Sequence, residues 1–211
     1  MIGDLFLQFA LLGAEWVLWL LLLLSVISVA VMVDRWRFYR RRRVDIDDLT
    51  DKLQAAIADD ETDGLDEDFG ANQALPAQVA LAGVRAAGDG AQVAGEAMNR
   101  VKARGRREYE KLQSVLGTLG SNAPFIGLFG TVLGIVGAFN KLSNNPEGGI
   151  DVVGGDLSEA LVATAIGILV AVPAVIAFNL FNRRMRAALA ATDEIAHGVL
   201  SAIHARSRED S

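Results

Sequence analysis

LQSVLGTLGSNAPFIGLFGTVLGIVGAFN, residues 112–140, runs for 29 residues without a charge. Roughly 20 apolar residues in a helix cross the hydrocarbon of a bilayer, so this stretch predicts a membrane span with length to spare. The surplus predicts a tilt, or a helix that continues into water at its basic end, where Lys111 and the pair Arg106 and Arg107 stand. At about 100° per residue, Gly120, Ala123, Gly127, Gly130, Thr131, Gly134, Gly137 and Ala138 fall within a stripe about 120° wide. The opposite side carries Leu128, Phe129, Val132, Ile135, Val136 and Phe139, suited to lipid or to other helices. Small stripes let backbones approach closely in a membrane, which assigns Gly127, Gly130, Gly134 and Gly137 to helix packing.

Two further charge-free runs lie on either side in the chain. Residues 16–33 number 18, and at about 1.5 Å each they cover about 27 Å, just enough to cross. Residues 160–182 form the third run, with Ala160, Thr164, Gly167, Ala171 and Ala174 near one face, and Gly167 is assigned to packing as well. The chain has 211 residues, 52% of them hydrophobic, well above an ordinary soluble domain. The reading is an all-α integral membrane protein with spans at 16–33, 112–140 and 159–182. Three spans are too few to surround a pathway alone, so copies of the chain are expected to associate through the small faces.

Charge orients the spans. Residues 1–15 contain Asp4 and Glu15 but no base, whereas Arg35, Arg37, Arg40, Arg41, Arg42 and Arg43 follow the first span at once. By the positive-inside rule the N-terminal segment is external, and the missing basic flank argues for a retained anchor rather than a cleaved signal peptide. Arg100, Lys102, Arg104, Arg106, Arg107 and Lys111 mark the inner mouth of the second span, and Arg183, Arg184 and Arg186 that of the third. The connection 141–158 has one base against Glu147, Asp151 and Asp156, plus the turn-forming NNPEGG, as expected of a short external loop. Trp16 and Trp19 at one edge, with Trp36, Phe38 and Tyr39 at the other, fit aromatic belts.

Residues 34–111 are polar and read as a helical cytoplasmic extension. Residues 45–68 hold eleven acids against the single base Lys52, an acidic linker of mobile character. Ile46, Leu49, Leu53, Ala56 and Ile57 recur at helical spacing, as do Val79, Leu81 and Val84, and then Val93, Ala97 and Val101. Residues 183–211 form a cytoplasmic tail.

Few polar groups lie at membrane depth. Thr131 and Thr164 are the threonines in the middle of the spans. A hydroxyl donates and accepts without ionising, so it can hold a water file or a carboxyl group in an apolar lumen. Equally, membrane threonines bond back to the carbonyl of residue i−4 with no transport role. Glu159 stands five residues before Thr164, about 140° away on an ideal helix. It is a functional candidate as an intramembrane acid, or simply a carboxylate favoured in a first helical turn. Pro124 and Pro173 remove backbone bonds and bend their helices, and Asn122 and Asn179 are suited to interhelical hydrogen bonds.

The chain has no cysteine, which excludes disulfides, thiol nucleophiles and cysteine metal sites. His197 and His204 read as a solvated face rather than metal ligands. No nucleophile with a nearby base and no phosphate loop appears, so neither an enzyme nor a cofactor is expected. The basic run RWRFYRRRR abuts a span and so meets anionic lipid head groups, not nucleic acid.

SNAPFIGLFGTVLGIVGAF, residues 121–139, followed by LSEALVATAIGILVAVPAVIAFNLFNRR, residues 157–184, resembles the MotA/TolQ/ExbB proton channel family. The likeness covers roughly residues 110–186, and three spans with an external N-terminus resemble the ExbB and TolQ branch rather than the four-span flagellar stator subunit. It implies a homopentamer in the bacterial inner membrane, N-terminus periplasmic and C-terminus cytoplasmic. Within it, the second and third helices surround the single spans of two ExbD-like or TolR-like chains that carry a proton-binding aspartate, and a TonB-like or TolA-like protein takes up the work. By motif position in GLFGTVLGI and EALVATAIG, the resemblance assigns Thr131, Thr164 and Glu159 to the proton path. It leaves open outer-membrane import, envelope maintenance and motility, and beside it stands a non-conducting scaffold that only holds a single-span partner.

Overall fold

The computed structural model describes residues 15–58 and 63–209. The expectations made for residues 1–14, Asp4 included, and for the acids 59–61 lie outside the described residues. Among the described residues there is no strand, and seven α-helices follow one another: α1 Glu15–Arg41, α2 Ile46–Ala58, α3 Asp63–Phe69, α4 Leu75–Arg85, α5 Ala91–Glu110, α6 Gln113–Asn144 and α7 Gly149–Glu209. The helices α1, α6 and α7 are each long and apolar enough to cross a membrane.

Several boundaries differ from the sequence reading. The helix of the third span, α7, is 61 residues long, so most of the connection 141–158 and of the tail 183–211 is helix. Beyond Asn182 the chain is rich in Ala and Arg, holds no proline and has Gly198 as its one glycine, so nothing stops the helix. In the connection, Pro146–Gly148 form one 3₁₀ turn, and Gly149 at φ 51° reverses the chain. The second span does not continue into water as one helix. Between α5 and α6 the ladder is broken at Leu112, which sits at φ 63° in the left-handed region. Pro124 and Pro173 lie inside α6 and α7, which both continue past them.

The chain folds as two compact units: Met1–Asp34 with Leu112–Leu180, and Arg35–Lys111 with Phe181–Ser211. In the first, α6 and α7 pack antiparallel through their small faces. A Cβ added to Gly120 would meet Val175, one on Gly127 would meet Gly167, one on Gly130 would meet Ala163 and one on Gly134 would meet Ala160. This corrects the expectation that the small stripes join separate copies: most of their area is occupied inside one chain. The reason is that two complementary small faces gain dispersion energy that lipid cannot supply, and a short connection brings these two together first. Leu128, Phe129, Val132, Ile135 and Phe139 are exposed on the far side of α6, while Val136 is half-buried. Val17 and Leu21 of α1 close one flank of the pair, in a cluster with Ala123, Leu133, Val170 and Ala171 that also takes in Ile126 and Ile166.

In the second unit, α4 is buried along nearly its whole length. Gly83 and Gly105 let neighbours in: a Cβ on Gly83 would stand 2.6 Å from the Met98 sulfur, and one on Gly105 would overlap Leu75. The Asp45 carboxylate accepts from the Asp47 amide at 3.1 Å and caps α2, whose Leu49, Leu53, Ala56 and Ile57 are buried as their spacing predicted. The expected line Val93, Ala97 and Val101 on α5 is rotated by one residue: Val93 is exposed, and Ala94 and Met98 are buried instead. Thr192, Ile195, Val199 and Ile203 on α7 are likewise buried.

The inner aromatic belt also needs correction. Tyr39 is buried, stacked on Phe181 with ring centroids 5.5 Å apart and edge-on to Tyr109 at 5.6 Å. Its hydroxyl donates to the Tyr109 carbonyl at 3.3 Å. Phe38 lies under the Arg42 guanidinium at 3.8 Å. Trp36 and Trp19 remain exposed, whereas Trp16 is half-buried, edge-on to Phe129 at 6.1 Å.

Candidate functional site

The candidate residues sit on the antiparallel pair of α6 and α7. The meetings of Gly127 with Gly167, Gly130 with Ala163 and Gly134 with Ala160 set the register, which puts Thr131 and Thr164 at one depth and Glu159 more than one turn beyond them. On α7, Glu159, Ile166 and Val170 share a face at i, i+7 and i+11, and Ile166 and Val170 are those that pack against Val17 and Leu21. Thr164 points about 160° away from Ile166, and Thr131 about 160° away from Leu133, so both threonines turn from the flank that α1 covers. The register thus brings Thr131 and Thr164 together on one flank and sets Glu159 on the other.

Their hydrogen bonding differs. Thr131 is 9% exposed and its Oγ1 donates to the Leu128 carbonyl at 2.6 Å, the back-bonded arrangement that the sequence also allowed. Thr164 Oγ1 and Glu159 Oε1 are buried and have no hydrogen-bond partner. Leaving such an atom unpaired costs about 1–3 kcal/mol. The half-buried Glu159 is not in a first helical turn, since α7 begins ten residues earlier, at Gly149. At the same end of the pair, Lys141 Nζ lies 2.7 Å from Asp156 Oδ1.

Gly127, Gly130, Gly134 and Gly167 are buried at the crossing, and Gly137 is half-buried beside Asp156. Ala163, fully buried against Gly130, was not singled out, although its i−4 spacing from Gly167 carried the signal. Ser28 on α1, 2% exposed with its Oγ unpartnered, was also missed, because one serine in an apolar run has no pattern. Asn122 does not bond across helices: it is exposed, and its amide donates to the Thr118 carbonyl at 2.8 Å on its own helix. His197 and His204 are exposed on α7.

A profile of the MotA/TolQ/ExbB proton channel family matches residues 71–194. The chain belongs to that family. Among its relatives, the biopolymer transport protein ExbB of Xanthomonas campestris is 49% identical over 94 residues, 43% of this chain and 37% of that protein. The protein of the same name from Neisseria gonorrhoeae is 43% identical over 91 residues, 43% of this chain and 41% of the relative. The Tol-Pal system protein TolQ of Pseudomonas aeruginosa is 47% identical over 81 residues, 37% of this chain and 35% of its own. This places the protein in the ExbB and TolQ branch of the proton channel family. The chain spans about two fifths of the length of the ExbB relatives it matches.

Proposed function

We propose that this chain is the proton-conducting subunit of an ExbB/TolQ-type motor in the bacterial inner membrane. It crosses at 16–33, 112–140 and 159–182, with its N-terminus periplasmic and residues 34–111 and 183–211 cytoplasmic. Five copies surround the single spans of two ExbD-like or TolR-like chains whose aspartate carries the proton, and a TonB-like or TolA-like protein transmits the work. The observation that carries this reading is the pair of unpartnered buried atoms, Thr164 Oγ1 and Glu159 Oε1, in otherwise apolar helices. A hydroxyl at that depth accepts from a protonated carboxyl or a water and donates to a carboxylate, so it serves the aspartate in both states. Thr131, at the same depth and on the same flank, extends the polar strip once its hydroxyl leaves the Leu128 carbonyl. Glu159 lies on the flank that α1 covers, so it is assigned to the periplasmic mouth of the path, beyond the depth of the two threonines and not in line with them.

A second reading, a non-conducting scaffold that holds a single-span partner, is favoured by two features: the Thr131 hydroxyl is already satisfied, and the small faces are filled within the chain. Proton flux into proteoliposomes holding the co-purified complex separates the two. Thr131→Val and Thr164→Val keep the shape and remove the hydroxyl. Loss of flux with an intact complex supports conduction through this strip; unchanged flux in both variants removes the two threonines from the path, and no flux in the wild type supports the scaffold.

A further inference from the structure

In the second unit α5 and α7 run antiparallel, and two contacts fix their register. The Lys102 ammonium pairs with the Asp193 carboxylate, and a Cβ on Gly95 would stand 3.8 Å from Leu200. Step for step along the two helices, Val93 therefore stands level with Ala202, and Arg100 with Ile195, next to Glu194. Directions follow from the same contacts. Val93 is nine residues from Lys102, about 180° around α5, so it faces away from α7. Ala202 is nine residues from Asp193, so it faces away from α5.

Beside Ala202 lies a groove between α7 and α2. A cavity of about 140 Å³ opens there over Gly198, walled by Leu53, Ile57, Ile195, Val199 and Ala202. Nothing lies within 4 Å of a Cβ on Gly198. The edge of the groove is acidic: Glu194 lines it, and the exposed Asp47 and Asp51 flank Thr50, another lining residue. None of these three acids pairs with a base among the described residues, and Arg206, one turn beyond Ala202, already has a partner.

The outer face of α5 is complementary. Val93 is 45% exposed; among the described residues of the second unit, the other large apolar side chain left exposed is Trp36, at the proposed membrane boundary. Arg100, Arg104 and Arg107 follow on the face of Val93 at i+7, i+11 and i+14, and none of them pairs with an acid among the described residues. Glu96, at the edge of this face, accepts from Gln92. An apolar knob with three bases thus backs onto an apolar groove with three acids. The spacings match as well, since Val93 to Arg100 and Ala202 to Ile195 each span about 10 Å.

We propose that the groove takes the α5 face of a second copy of this chain: Val93 of one copy enters the cavity beside Ala202 and Gly198, and Arg100 of that copy meets Glu194. Two different faces on opposite sides of α7, level along it, are brought together by rotation without translation, and such contacts close into rings. Complementary charge steers the right faces together and rejects like faces. The interface rests on the homo-oligomer of the proposed function and names a surface that joins its copies, a task the filled small faces of α6 and α7 leave open.

The full chain has no cysteine, so disulfide trapping in native membranes reads the interface. Val93→Cys with Ala202→Cys is expected to give a ladder of covalent oligomers on mild oxidation. Each single variant should stay monomeric, as should Val93→Cys with His204→Cys, a control that points about 160° away from Ala202 on α7. Glu194→Arg added to the first pair should lower the ladder at least fivefold, and Arg100→Glu added to that should restore it, which a merely misfolded chain would not do. Native mass spectrometry of the wild type with its co-purified partner counts the copies in parallel. A homo-oligomer without a ladder overturns this interface and leaves the proposed function standing, whereas a monomer overturns both. Dimers from Val93→Cys alone, or a ladder that ignores Glu194→Arg or is not restored by Arg100→Glu, overturn the interface as well.

Discussion

Gly127 and Gly167 meet backbone to backbone: a Cβ on Gly127 would stand 3.2 Å from the Gly167 Cα, and one on Gly167 would stand 3.1 Å from the Gly127 Cα. The same two atoms would each come within 2.7 Å of a carbonyl oxygen, Ala163 for the first and Ala123 for the second. Backbone cannot swing aside as a side chain does. Gly127→Ala and Gly167→Ala are therefore expected to cost about 1–3 kcal/mol each, and Gly127→Val more. Thermal unfolding of the detergent-solubilised chain reads this directly. The two alanine variants should combine non-additively, because the first already forces the helices apart.

Stability and function are expected to diverge at Thr164. Its hydroxyl is buried and unpartnered, so Thr164→Val should leave the unfolding temperature of the isolated chain unchanged or raise it, by up to about 1 kcal/mol in stability. The same substitution should abolish proton flux in the complex. Thr131→Val, which deletes a made hydrogen bond, should cost a few tenths to about 1 kcal/mol. A Thr164→Val chain that loses stability in step with flux would show that the hydroxyl serves folding alone.

Tyr109, outside the proposed spans, carries a pH signature. Burial pushes its phenol above the ordinary value of 10.0, against the opposing effect of the Leu75 amide, which donates to its oxygen at 3.4 Å. The raised value means the folded chain keeps this proton when the unfolded chain has lost it, so the contribution is complete below about pH 10 and drains as pH rises further. Unfolding temperatures followed from pH 9 to about pH 11 should fall more steeply for the wild type than for Tyr109→Phe. Parallel slopes would dismiss the assignment.

Two glycines with empty space around them should respond with opposite sign. Nothing lies within 4 Å of a Cβ at Gly90 or at Gly198. Gly90 has φ 97°, a conformation that L residues resist, so Gly90→Ala should destabilise by about 1–3 kcal/mol. Gly198 lies mid-helix in α7, where Gly198→Ala should stabilise by about 1 kcal/mol. Circular dichroism melts of the two variants decide both.

Much of this molecule is legible in one dimension. Charge-free length marks the three apolar helices, and a 3.6-residue period puts Gly127, Gly130, Gly134 and Gly167 on packing faces, because those properties depend on neighbours a few residues away. The helix α7 outruns the expected end of the third span for a local reason too: no proline follows Asn182, and charge alone does not end a helix. The motif around Thr131, Glu159 and Thr164 is likewise plain as a pattern, and it leads to the family.

What a period cannot tell is which face meets which. Only the register of α6 on α7 decided that the small stripes fill each other within one chain, that Thr131 and Thr164 share a depth, and that Glu159 turns to the flank of α1. Only the fold set Val93 and Arg100 of α5 level with the groove beside Ala202 and Glu194. The physical reason is common to both. A side chain's direction follows from the backbone a few bonds away, but its partner is chosen by dispersion fit and charge between segments distant in sequence, and that choice exists only once the helices have packed.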